Sequence, residues 1–184
     1  ALRSQPSDLV ILPLGTSNSS EGRVSPSTIV FDDTNWMEPQ TIRVSGIDDY
    51  QIDGNQQFEV KIGVDPKYNN QERIVRFINL DTTEAGFIVY ALDEQTDEAG
   101  GDAQVTIQLK SKPKADVVIS AASTDTTKAV ITQGSFLTFT TSNWFQPQTI
   151  TLIGLADGST ANDQDYFLEF SNSSSDDINY DGLK

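Results

Sequence analysis

The chain has no cysteine and no histidine among its 184 residues. Without cysteine there can be no disulfide, thiolate metal site or thiol nucleophile. Without histidine there is no imidazole to act as general base or metal ligand, so Ser-His-Asp and Cys-His arrangements are excluded. Any metal must be held by oxygen, and calcium is the cation that an oxygen-only donor set suits. Basic residues are also scarce. Twelve Lys and Arg stand against 27 Asp and Glu, a net charge of −15. Such a surface repels phosphate backbones and anionic lipid, so neither nucleic acid nor membrane insertion is expected. No apolar run approaches the roughly 20 residues of a membrane-spanning helix. Residues 1–6 do not read as a signal peptide.

What the chain does contain is a copy of itself. Residues 29–47 (IVFDDTNWMEPQTIRVSGI) align with 137–155 (LTFTTSNWFQPQTITLIGL), with eight of nineteen positions identical. Phe31 pairs with Phe139, Asn35 with Asn143, Trp36 with Trp144, Gly46 with Gly154, and Pro39-Gln40-Thr41-Ile42 with Pro147-Gln148-Thr149-Ile150, all at an offset of 108 (144 − 36). Upstream, Leu2-Arg3-Ser4-Gln5-Pro6 matches Leu109-Lys110-Ser111-Lys112-Pro113 at an offset of 107 (109 − 2). Downstream, Tyr68-Asn69 matches Tyr180-Asp181 at 112 (180 − 68). The period is that of an immunoglobulin-sized sandwich.

Apolar residues alternate with polar ones, as in Phe58, Val60, Ile62 and Val64, or Val105, Ile107 and Leu109, and this period of two predicts strands. With strands lettered A to G within a module, the first copy offers C to G at 9–14, 28–31, 41–44, 57–64 and 74–79. The second offers A to F at 87–92, 104–109, 117–121, 136–139, 149–153 and 166–171. Ser, Thr, Asn, Asp and Gly fill the turns between them. The expectation is an all-β chain of two tandem immunoglobulin-like antiparallel β-sandwich modules, 1–81 and 82–184. The first lacks its opening strands and the second its closing one. Two readings of those ends stand: a cut from a longer array, or strands supplied by a neighbouring molecule. The linker at 81–85 is short and has no Gly/Ser run, which predicts limited freedom between the modules.

In such a sandwich successive loops alternate between two poles, so the AB, CD and EF loops share one pole with the end of strand G. In the first copy this collects Glu21, the EF-loop residues Asp48, Asp49 and Asp53, and Asp81 at the end of strand G, at the pole expected to face the second copy. Carboxylates gathered from separate loops suit a calcium ion with six to eight oxygen donors. In the second copy Ala156 replaces Asp48. That leaves Asp157, Asp163 and Asp165, with Asp93, Glu94, Asp97, Glu98 and Asp102 in the AB loop. Acidic loops are also commonly just solvated turns.

The stretch Arg43-Val44-Ser45-Gly46-Ile47-Asp48-Asp49, followed by Gly54-Asn55-Gln56-Gln57-Phe58-Glu59-Val60, resembles the Calx-beta module. Ile78-Asn79-Leu80-Asp81 is similar to its closing strand, and Thr96-Asp97-Glu98-Ala99-Gly100 to its acidic AB turn. Through Asn-Trp-x-x-Pro-Gln-Thr the repeat also resembles tandem modules of large bacterial surface proteins. The resemblance extends over nearly the whole chain, and the EF loop is its most specific part. It implies calcium ligands at Asp48, Asp49, Asp53 and Asp81 in the first copy, and at Glu98 and Asp157 in the second.

Trp36 and Trp144 precede Pro-Gln-Thr in both copies, which suits an indole closing the end of each core better than a sugar-stacking platform. Asn18-Ser19-Ser20 and Asn172-Ser173-Ser174 match the glycosylation sequon, a weak signal in a Ser- and Asn-rich chain. The paired carboxylates of a glycosidase need a cleft, whereas these lie in module-end loops, so an enzyme is not expected. The sequence reads as a structural or adhesive repeat of a secreted or cell-surface protein, a spacer stiffened by calcium. Its partners would be neighbouring repeats, including by self-assembly. The second reading is a module binding a glycan or a surface protein.

Overall fold

The computed structural model describes residues 1–68, 72–158 and 163–184; Asn69, half of one repeat match, lies outside them. The described residues form an all-β chain without helix. The strands are β1 (Val10–Thr16), β2 (Gly22–Ser25), β3 (Thr28–Phe31), β4 (Arg43–Gly46), β5 (Gln56–Ile62), β6 (Arg73–Asn79), β7 (Phe87–Ala91), β8 (Asp102–Leu109), β9 (Val117–Ser123), β10 (Ala129–Gln133), β11 (Phe136–Phe139), β12 (Gln148–Gly154), β13 (Leu168–Phe170) and β14 (Ser174–Ser175). The chain divides into two compact units. One comprises Ala1–Asp49 and Asp53–Thr82, the other Tyr50–Ile52 and Thr83–Lys184.

In the second unit, one antiparallel sheet runs β10-β12-β8-β7 and the other β11-β9-β13, with β14 also on β9. Alternation explains which side chains meet between them. Ile107 and Leu109 of β8 and Ile150 and Leu152 of β12 bury against Val117, Ile119 and Ala121 of β9 and Leu137 and Phe139 of β11. Each fully buried side chain of this size contributes about 1.5–3 kcal/mol. In the first unit the sheet β3-β1-β5-β6 is accompanied by a two-stranded sheet, β2-β4. Val10, Leu14, Ile29 and Phe31 form its core, with Leu2, Val24, Ile42 and Ile62 half-buried around it.

The duplication is visible in the register. Val10 pairs with Phe31 as Val117 does with Phe139. Gly22 pairs with Gly46 as Ala129 does with Gly154. The change of offset from 107 to 108 falls in β10, where the register shifts between Ile131 and Gln133. One extra residue there is absorbed as a bulge.

The pairing differs from the expected lettering in one respect. The strand at 28–31 pairs with β1, not with the E strand, and the partner of β4 is the unforeseen β2. The same exchange recurs with β10, β11 and β12. Gly22-Arg23-Val24-Ser25 has a single large apolar residue, so its sequence carries little alternation, and its strand state comes from the ladder with β4.

Candidate metal centre

The pole of the first unit is built by three connections. The turn before β2 closes with Gly22 N–H donating to the Asn18 carbonyl at 3.2 Å, which places Glu21 at the strand entrance, only 5% exposed. The β4–β5 loop carries Asp48, Asp49 and Asp53. The chain after β6 brings Asp81, whose Oδ2 accepts from the amides of Asp53 (3.1 Å) and Gly54 (2.8 Å). Gly54 has φ of 79°, a left-handed conformation that costs glycine little. Asp81 therefore fixes the turn that presents Asp53.

Glu21, Asp49 and Asp53 each bring a carboxylate oxygen within 4.8 Å of the others. Among the described residues this is the acidic group close enough to share a cation. Oxygens bound at about 2.3–2.6 Å to one calcium ion lie no more than about 5 Å apart, so the spacing fits. Asn79 Nδ2 donates to Glu21 Oε2 at 3.0 Å and to the Ile47 carbonyl at 2.7 Å. Asn79 can reach so far because Gly46 has no side chain. A Cβ there would stand 2.2 Å from Asn79 Oδ1.

Of the residues the sequence nominated, Asp49 and Asp53 thus come together with Glu21, already placed at this pole by loop order. Asp81 is beside them but spends Oδ2 on backbone amides. Asp48 is exposed and lies outside the three-carboxylate group. Nothing in the Calx-beta resemblance nominated Glu21. The signal that placed it is its position in a loop at the same pole as the Asp pair.

The corresponding corner of the second unit is arranged differently. Asp157 forms an ion pair with Lys128, the two side chains being 15% and 23% exposed. The Lys128 pKa is raised, chiefly by the hydrogen bond to Asp157 and further by attraction to Asp157, Asp125 and Glu98, against the opposing cost of desolvation. Glu98 is exposed in the β7–β8 loop. Its neighbour Asp97 makes the turn, accepting the Ala99 and Gly101 amides at 2.8 and 2.9 Å.

The other singled-out residues serve the fold. Asn35 Oδ1 accepts the Asp32 amide, and Asn143 Oδ1 the Thr140 amide. The Asn of the repeated Asn-Trp motif therefore closes the turn after β3 and after β11. Trp144 is half-buried against the second core and stands edge-on to Phe145 at 5.6 Å. Trp36 is also half-buried, but the residues packed on the first core do not include it. Asn18 of the first sequon uses Oδ1 to accept from Ser20 N and Oγ. A trough of about 600 Å³ with a mixed polar and apolar lining opens in the first unit, between Leu12, Ile29, Phe31, Ile42, Ile62 and Tyr68 on one hand and Arg3, Ser4, Gln40 and Arg73 on the other. Among the described residues, no acidic one lines it.

No family model, no curated protein and no solved structure gives a significant match to this chain. No helix among the described residues is long and apolar enough to cross a membrane.

Proposed function

We propose that this chain is a structural or adhesive repeat segment of a secreted or cell-surface protein, and that its first unit is stiffened by calcium. The observation that carries this reading is the convergence of Glu21, Asp49 and Asp53 from two loops to within 4.8 Å. Three carboxylates so close repel one another, by about 1 kcal/mol per pair in water and more where solvent is excluded. A dication reverses the sign of that energy and ties the turn before β2 to the β4–β5 loop. Backbone carbonyls and water would complete its shell. The duplicated architecture, the acidic surface and the Calx-beta resemblance support the same reading. The absence of histidine and cysteine weighs against catalysis.

The reading is tested by thermal unfolding in chelator, in calcium and in magnesium. Calcium at millimolar concentration should raise the first unit's transition by a few degrees. Magnesium should do less, since it demands a stricter octahedron. Equal response to both ions, at the level of simple ionic strength, would reject a site.

A further inference from the structure

Glu21 and Lys128 occupy the same place in the two repeats. Each is the last residue within the same turn, closed by Gly22 N–H to the Asn18 carbonyl at 3.2 Å and by Ala129 N–H to the Asp125 carbonyl at 3.1 Å. Each precedes a strand whose first residue pairs with the last glycine of its partner, Gly22 with Gly46 and Ala129 with Gly154. Each backbone carbonyl accepts from the residue just beyond that glycine, Ile47 N–H at 3.0 Å and Leu155 N–H at 2.8 Å. From the same glycines, Asp49 and Asp157 stand three residues on. One repeat thus sets Glu21 against Asp49, and the other sets Lys128 against Asp157.

We infer that the Lys128 ammonium is a built-in cation, which neutralises Asp157 and ties the turn before β10 to the loop after β12, at the position where the first repeat has Glu21. The second unit then closes this corner without a metal, and Asp157 serves the ammonium rather than calcium. The low exposure of both side chains lets the pair act in partly desolvated surroundings, where breaking it leaves an uncompensated charge. The comparison with calcium rests on the proposed function of the first unit; the role of Lys128 does not.

The test uses the full chain and follows each unit by its single tryptophan, with Trp36→Phe isolating Trp144 and Trp144→Phe isolating Trp36. In chelator, Lys128→Met should lower the second unit's melting temperature by at least about 5 °C, the size expected for a loss of about 1 kcal/mol in a domain of this length. Lys128→Arg should retain most of the stability. The exchanged pair, Lys128→Glu with Asp157→Lys, should recover part of what Lys128→Glu alone loses, which packing alone would not produce. Calcium should leave the wild-type second unit unmoved. In the first unit, Glu21→Lys should raise the transition in chelator and remove any response to calcium. An unchanged transition in Lys128→Met, or an exchanged pair no better than Lys128→Glu, would overturn the inference. A first unit indifferent to calcium, with Lys128→Met still destabilising, would reject the calcium reading and leave the role of Lys128 intact.

Discussion

The Tyr180 hydroxyl holds Ser111 by three contacts at once. It accepts from the Ser111 amide at 3.1 Å, shares a hydrogen bond with its Oγ at 2.8 Å, and donates to its carbonyl at 2.7 Å. Both residues are fully buried. Tyr68 makes the same contacts with Ser4, at 3.1, 3.0 and 2.8 Å, in an exposed setting. Removing the hydroxyl should therefore have unequal effects. Tyr180→Phe strands a buried amide and a buried carbonyl, at about 1–3 kcal/mol each, so a total of about 2–6 kcal/mol is expected. Tyr68→Phe should cost under about 1 kcal/mol, because water replaces the hydroxyl. Urea denaturation of the two variants measures the difference.

The repeated glycines Gly46 and Gly154 predict a second asymmetry. A Cβ on Gly154 would lie 2.2 Å from the Asp97 carbonyl oxygen, which is backbone, whereas one on Gly46 would meet the tip of the Asn79 side chain. Backbone cannot yield cheaply, so Gly154→Ala should cost about 2–3 kcal/mol, in the upper part of the range for overpacking. Gly46→Ala should cost less but displace Asn79 from Glu21, and it should weaken any calcium response of the first unit. Equal losses in the two variants would contradict this assignment.

Acid should destabilise the fold through three named carboxylates. The Thr34 hydroxyl, with the Thr34 and Asn35 amides, holds Asp32 below its ordinary value of 3.8. The Ile11 amide, then that of Lys67, does so for Asp65. The Thr127 hydroxyl and amide do so for Asp125. A carboxylate whose pKa is lowered by folding contributes stability that is complete above the unfolded value and is lost as pH falls through the folded one. The urea midpoint should thus fall as pH drops below about 4. Asp65→Asn should show a shallower fall over that window than the wild type.

Much of the fold was legible because alternation marks buried strands. Phe58 and Val60 in β5, and Ile107 and Leu109 in β8, are buried as their spacing implies. The strands at 28–31 and 136–139 were located to the residue. The short β2 and β10 were not, because Gly22-Arg23-Val24-Ser25 is held by its ladder to β4 rather than by a hydrophobic face. Loop order alone brought Glu21, Asp49 and Asp53 to one pole. It could not show that Asp81 would turn an oxygen toward the Asp53 and Gly54 amides. The offset of 107 places Glu21 on Lys128 (128 − 21), but spacing alone could not show that the exchange sets an ammonium against Asp157.

The central claim is that Glu21, Asp49 and Asp53 hold calcium, and calorimetric titration of the full chain tests it most directly. Extracellular modules bind calcium with Kd of about 10⁻⁴ to 10⁻³ M. At ten times Kd, such binding adds about 1.4 kcal/mol to the folded state. The account predicts one saturable site in the wild type, lost in Glu21→Gln and in Asp49→Asn and retained in Asp157→Asn. No heat of binding at about 10 mM calcium, ten times the weaker of those constants, would contradict it and leave this corner of the repeat an acidic, solvated turn.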